Sequence, residues 1–175
     1  LYRCQLGGVP NGVFIQQERG RFEPAAPASG LEFMDETRAA LFVDFDNDGD
    51  QDCALSTLRR VVVMANNGKG VFSRVFEVKL NGAAHSLASA DYDLDGDLDL
   101  YVCGYYGRDE DTNKLPIPYP LFDANNGGPN LLLQNNGSLK FQDVTMSSGI
   151  GENNRRYSFA AVWEDFDNDG DPDLY

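Results

Sequence analysis

Five aspartates in nine residues, with a glycine fixed among them, narrow the folds open to a chain more than any other feature here. The stretch Asp44-Phe45-Asp46-Asn47-Asp48-Gly49-Asp50-Gln51-Asp52 returns as Asp91-Tyr92-Asp93-Leu94-Asp95-Gly96-Asp97-Leu98-Asp99. It returns again as Asp165-Phe166-Asp167-Asn168-Asp169-Gly170-Asp171-Pro172-Asp173. Each copy has Asp at positions 1, 3, 5, 7 and 9, Gly at 6 and an aromatic ring at 2. Carboxylates so crowded repel one another, and burying one unpaired is costly. A hard cation removes that cost, because calcium takes six to eight oxygen ligands at about 2.3–2.6 Å. Side chains 1, 3 and 5 converge when the chain curls around an ion, and Gly at 6 permits the sharp turn. Position 7 offers its backbone carbonyl, and position 9 adds a further carboxylate.

An EF-hand shares the first half of this pattern but needs a bidentate Glu at position 12 and flanking helices. Position 12 is Leu55 in the first copy and Val102 in the second, and the third copy ends before it. The flanks are Val-, Leu- and aromatic-rich. The pattern therefore predicts calcium loops outside the EF-hand fold, up to three ions in all. A solvated acidic turn is the plainer account of one such run, but not of three with the same Asp and Gly positions.

The chain has 175 residues and a formal net charge of −14, with 28 acidic residues against 14 Lys and Arg. Fifteen of the acids sit in the three loops, leaving 13 for the rest of the chain. The acidity is thus local to the loops. Nucleic acid is excluded as a partner by the lack of a basic surface. No apolar run has the length of a membrane span, so no membrane insertion is expected. The chain opens without the basic and apolar regions of a signal peptide. Cys4, Cys53 and Cys103 lack zinc-ligand spacing and are expected as small buried side chains near strands.

The segments between the loops repeat as well. Residues 13–22, 61–72 and 131–141 each read as strand, turn, strand, with Asn-Gly turns in the second and third. A strand of small and apolar residues then enters each loop: Ala39–Val43, Ser86–Ala90 and Phe159–Trp163. Another leaves it, as in Cys53-Ala54-Leu55 and Leu100-Tyr101-Val102-Cys103. Four short strands and one metal loop per unit predict an all-β protein of about three four-stranded antiparallel β-propeller blades. The units run approximately over 1–52, 53–99 and 100–175. Leu1-Tyr2-Arg3-Cys4 resembles Leu100–Cys103, so the chain is expected to be part of a longer array whose neighbouring blades complete the packing. The loops begin 47 and then 74 residues apart. The excess lies in an insertion over 104–129 that holds Pro116, Pro118, Pro120, Tyr119, Phe122 and Asp109-Glu110-Asp111.

The Asp-x-Asp-x-Asp-Gly-Asp-x-Asp motif followed by Leu-Tyr, with its aromatic second position, resembles the FG-GAP-like (VCBS) repeat. The branch most resembled is that of cartilage acidic protein and the bacterial ASPIC/UnbV proteins. The resemblance covers all three units. It implies a propeller like that of integrin α-subunits, with calcium in the blade hairpins. It also implies a secreted, cell-surface or periplasmic setting and a role in adhesion or recognition of a protein or carbohydrate ligand. By motif match the metal ligands are Asp44, Asp46, Asp48, Asp50 and Asp52, then Asp91, Asp93, Asp95, Asp97 and Asp99, then Asp165, Asp167, Asp169, Asp171 and Asp173. Asp50, Asp97 and Asp171 would act through their backbone.

An enzyme is the contrasting class. The carboxylates are committed to metal loops, and a calcium site saturated by protein oxygens offers no open position for Lewis-acid chemistry. The single histidine, His85, is expected to be structural. No nucleophile elbow, P-loop or dinucleotide fingerprint occurs. The expectation is a non-enzymatic calcium-binding module. The alternatives are an accessory propeller of a larger secreted enzyme and a structural spacer.

Overall fold

The computed structural model describes residues 1–5, 7–25, 29–107 and 117–175. Among them there is no α-helix, only a 3-10 turn at Glu18–Gly20. The strands are β1 (Tyr2–Arg3), β2 (Gly12–Gln16), β3 (Phe22–Pro24), β4 (Thr37–Val43), β5 (Asp52–Thr57), β6 (Arg60–Asn66) and β7 (Phe72–Lys79). They continue with β8 (Gly82–Ala90), β9 (Asp99–Gly107), β10 (Leu131–Asn135), β11 (Phe141–Asp143), β12 (Trp163–Glu164) and β13 (Asp173–Leu174). Every pairing between these strands is antiparallel.

Consecutive strands pair into four sheets: β1–β3, β4–β7, β8–β11 and β12–β13. The two middle sheets are four-stranded meanders, the architecture of propeller blades. No ladder among the described residues joins one sheet to another, so the sheets meet by side-chain packing. The fold is all-β, as the turn spacing predicts.

Stacking of sheets explains why the central strands are apolar almost without interruption. Side chains alternate across a strand, and here both sides are covered. On β5, Ala54 faces the core shared with the next sheet, while Cys53 and Leu55 face the core shared with the preceding one. On β6, Val61 and Val63 point forward and Val62 and Met64 backward. On β9, Leu100 and Val102 face back toward the β4–β7 sheet, whereas Tyr101 and Cys103 face Trp163 and Leu174 of the last hairpin. Full burial of each such side chain contributes about 1.5–3 kcal/mol, so these strands anchor the fold.

Each Asp loop joins the first two strands of a sheet. The sheets are therefore out of phase with units reckoned from loop to loop, and divisions after residues 52 and 99 fall inside sheets. Of the strand expected over Phe159–Trp163, only the end pairs: Val162 exchanges backbone hydrogen bonds with Tyr175, and Trp163–Glu164 continue the ladder opposite Asp173–Leu174. The expected insertion at 104–129 begins inside β9, which continues to Gly107 opposite Gly82. Its far end returns through a bridge between Tyr106 and Gly127. Within it, Pro118, Tyr119, Pro120 and Phe122 are described, whereas Asp109-Glu110-Asp111 and Pro116 lie outside the described residues. Cys53 and Cys103 are buried, but Cys4, just past β1, is only half-buried, and all three are free thiols.

Candidate metal centre

The loops are 44–52 (loop 1), 91–99 (loop 2) and 165–173 (loop 3), each spanning the gap between two paired strands. Their backbones repeat closely. Position 6 has φ of 92° at Gly49, 95° at Gly96 and 99° at Gly170. That is the left-handed region where a Cβ is penalised, and it accounts for the fixed glycine. Position 4 is left-handed too, at 60° for Asn47, 58° for Leu94 and 62° for Asn168. Asn tolerates this region better than most residues. Two of the three copies carry that signal, and Leu94 does not.

The first aspartate organises each turn. Asp44 Oδ1 accepts from Asp48 N at 3.2 Å and Oδ2 from Gly49 N at 2.9 Å. Asp91 does the same for Asp95 and Gly96, at 3.0 and 2.9 Å. Asp165 does so for Asp169 and Gly170, at 3.1 Å each. The position-5 carboxylates of Asp48, Asp95 and Asp169 accept from the position-7 amides of Asp50, Asp97 and Asp171, at 3.0, 2.9 and 3.2 Å.

The ninth aspartate does more than extend the ligand set. Asp52, Asp99 and Asp173 each turn Oδ2 back onto the position-2 amide, from Phe45 at 3.1 Å, Tyr92 at 3.0 Å and Phe166 at 2.9 Å. In the two four-stranded sheets Oδ1 also accepts from the end of the third strand, from Asn66 N at 2.9 Å and Asn135 N at 2.8 Å. Asp52 and Asp99 are each 1% exposed. They lock the loop to its own sheet.

Carboxylate oxygens converge at all three loops. One oxygen from each of Asp44, Asp46 and Asp48 lies within 4.8 Å of the others, as do those of Asp91, Asp93 and Asp99, and of Asp165, Asp167 and Asp173. Oxygens on opposite sides of one calcium ion lie about 5 Å apart, given its bond lengths. The spacing therefore fits a shared ion. Loop 1 adds a sharper sign: Asp46 Oδ1 and Asp50 Oδ1 are shut off from solvent and have no hydrogen-bond partner. Unpartnered buried carboxylate oxygens are costly unless a cation satisfies them.

The electrostatics agree. Burial, then the neighbouring Asp48, raises the Asp46 carboxyl above the usual aspartate range. Burial also raises Asp52, with amides from Asn66 and Phe45 opposing it. Burial pushes Asp99 up to about 6, and the Asp93 and Asp95 charges add to it. Asp171 is raised by the charge of Asp169. The folded, metal-free protein thus holds protons on these groups more tightly than the unfolded chain does. The contribution of Asp99 favours folding below about pH 4 and is lost as pH climbs through about 6, and the other raised carboxyls act in the same direction. In chelator, the thermal midpoint is expected to fall between pH 4 and 6. The gain from added calcium should widen over the same window, since the ion favours the ionised form. Melting curves at several pH values, with and without calcium, check this; a chelated midpoint that rises across the window would overturn it.

Several site residues escape a reading of the sequence. Asn66 and Asn135 hold the ninth aspartate through their amides, and their side chains reach Gln51 O and Leu98 O, at 3.1 and 3.3 Å. Gln134 Nε2 donates to Asp93 Oδ2 at 2.5 Å. The available signal is the repeated Asn-Asn-Gly of the two hairpins, which reads as turn chemistry alone. His85 lies away from the loops on β8, its ring 4.5 Å from Tyr105 and 5.3 Å from Phe159 between centroids. Its Nε2 faces Arg38 Nη1 at 3.1 Å, and burial followed by the Arg38 charge lowers its pKa.

Residues 44–102, which hold loops 1 and 2, the strands between them and the start of β9, match the family model described as the FG-GAP-like repeat. A comparison with curated proteins finds no match. No helix among the described residues is long and apolar enough to cross a membrane.

Proposed function

We propose that this chain, an FG-GAP-like repeat protein by its residues 44–102, is a calcium-binding propeller segment of an extracellular protein, with the ions stabilising the blades for recognition of a protein or carbohydrate ligand. The observation that carries this reading is the pair of buried, unpartnered carboxylate oxygens in loop 1, Asp46 Oδ1 and Asp50 Oδ1, beside converging Asp44 and Asp48. Calcium bound there would supply charge neutralisation. The chain's own groups do the rest: position 1 closes the turn, position 5 fixes the position-7 amide, and position 9 ties the loop to its sheet. The module is non-enzymatic in this reading, because the acidic groups serve a structural ion.

Extracellular calcium modules bind at about 10⁻⁴–10⁻³ M, which suits loops filled outside the cell. The test is a calorimetric calcium titration of the chelated protein, with magnesium in a parallel run. Three calcium ions per chain are expected. Magnesium demands octahedral geometry at about 2.0–2.1 Å and gives up its water reluctantly, so little heat is expected from it. No calcium uptake at millimolar concentration would overturn the proposal.

A further inference from the structure

We infer that loops 1 and 2 bind calcium as a coupled pair, joined by the side chains of Asn47 and Asn135, while loop 3 binds independently; this rests on the calcium reading above. Two bridges connect the first pair. Asn47, at position 4 of loop 1, donates from Nδ2 to Asp97 Oδ1 at 2.9 Å and to Gly96 O at 3.2 Å. It thus holds positions 6 and 7 of loop 2, the residues that set the turn and the position-7 carbonyl.

The second bridge is buried. Asn135, 0% exposed, ends β10 in the sheet that carries loop 2. Its amide donates to the Asp99 carboxylate at 2.8 Å, and its Nδ2 donates to Leu98 O at 3.3 Å. The same Nδ2 reaches across to Phe45 O of loop 1 at 2.7 Å. One residue therefore fixes, through its side chain, position 2 of one loop and position 8 of the next, and through its backbone amide position 9. Ordering either loop aligns donors or acceptors that the other needs. Two sites sharing such groups are coupled, and the coupling is reciprocal.

Nothing equivalent links loop 2 to loop 3. Position 4 of loop 2 is Leu94, with no side-chain donor, and no hydrogen bond among the described residues joins 91–99 to 165–173. The backbone at Leu94 nonetheless matches that at Asn47 within a few degrees. The fold thus accepts leucine at this position, and the asparagine is free to serve the neighbouring loop.

Charge acts in the opposite sense. Filling loop 1 weakens the negative field that draws a cation to loop 2, although at physiological ionic strength screening sets in over about 8 Å. Asn47→Leu is neutral for neutral and leaves that field alone, so it isolates the hydrogen bonds.

The experiment is calorimetric titration with calcium alone at fixed ionic strength, on wild type, Asn47→Leu and Asn168→Leu. Wild type is expected to take up two ions in one cooperative step and a third separately, filling of one coupled loop raising the affinity of the other about fivefold or more. Asn47→Leu should still bind three ions, with the cooperativity of the first two reduced to what the Asn135 bridge carries alone. Asn168→Leu should titrate like wild type. Three independent sites in wild type, or cooperativity that Asn47→Leu leaves undiminished, would overturn the coupling while leaving the calcium reading intact. Absence of calcium binding in wild type would overturn both.

Discussion

Calcium at about 10 mM is expected to raise the thermal midpoint of the chelated protein by roughly 10 °C or more. The size follows from mass action. An ion that binds only the folded form stabilises it by RT ln(1 + [L]/Kd). With Kd of about 10⁻⁴–10⁻³ M, each filled loop contributes about 1.4–2.7 kcal/mol at that concentration. Three loops give about 4–8 kcal/mol, and a domain of this size moves by about 2–4 °C per kcal/mol. Magnesium at the same concentration should move the midpoint by only a few degrees, mainly through screening of the loop carboxylates. A midpoint that magnesium raises as far as calcium does would mean general charge screening rather than shaped sites.

The second large effect is expected at Asp99. Both of its oxygens accept amide protons inside the protein, from Tyr92 and Asn135, and the residue is 1% exposed. Asp99→Ala leaves two amides without a partner. Hydrogen bonds to a charged group contribute about 1.5–3 kcal/mol each. Part of that loss is offset at neutral pH, because the carboxyl, held up to about 6, is ionised there against its surroundings. A net loss of about 2–4 kcal/mol is expected in chelator, or roughly 5–15 °C. Asp95→Ala is the informative comparison. Asp95 is exposed, and in the loop its side chain accepts only the Asp97 amide, at 2.9 Å. In chelator it should melt within a few degrees of wild type, while losing a third or more of the calcium gain, since loop 1 also loses its filled partner. Equal melting of the two variants in chelator would show that position 9 has no structural role beyond the ion.

The sequence displays the loops plainly because their chemistry is local: five carboxylates and a glycine within nine residues can be read without knowing what lies next to them. The hairpins are local as well. Asn66-Asn67-Gly68 and Asn135-Asn136-Gly137 announce their turns, and the run Val61–Met64 announces a strand buried on both faces. What escapes is whatever depends on how sheets stack. Asn135 meets Phe45 across 90 residues, and no spacing rule connects the two. The phase of the sheets escapes for a related reason. A loop-to-loop repeat has the same period wherever it is cut, and only the strand pairing shows that each loop lies inside a sheet. Phe159–Ala161 looks like strand by composition, yet pairing starts only at Val162, opposite Tyr175, and runs on to Glu164. At Leu94 the left-handed backbone is imposed by the loop around it rather than by the residue's own preference.

The aromatic ring at position 2 has a further consequence. Phe45 sits in the loop of one sheet, but it is 0% exposed and packs edge-to-face on Phe141 of the next, with centroids 5.4 Å apart. Phe166, at the same place in loop 3, is 86% exposed. The β4–β7 sheet thus lends a peg to the β8–β11 sheet, and these two are expected to unfold together. Stability in such an array belongs to the joints as much as to the members, as in a one-dimensional chain with nearest-neighbour terms. Amide exchange should therefore be slowest at the joint between the β4–β7 and β8–β11 sheets, where the peg is fully buried.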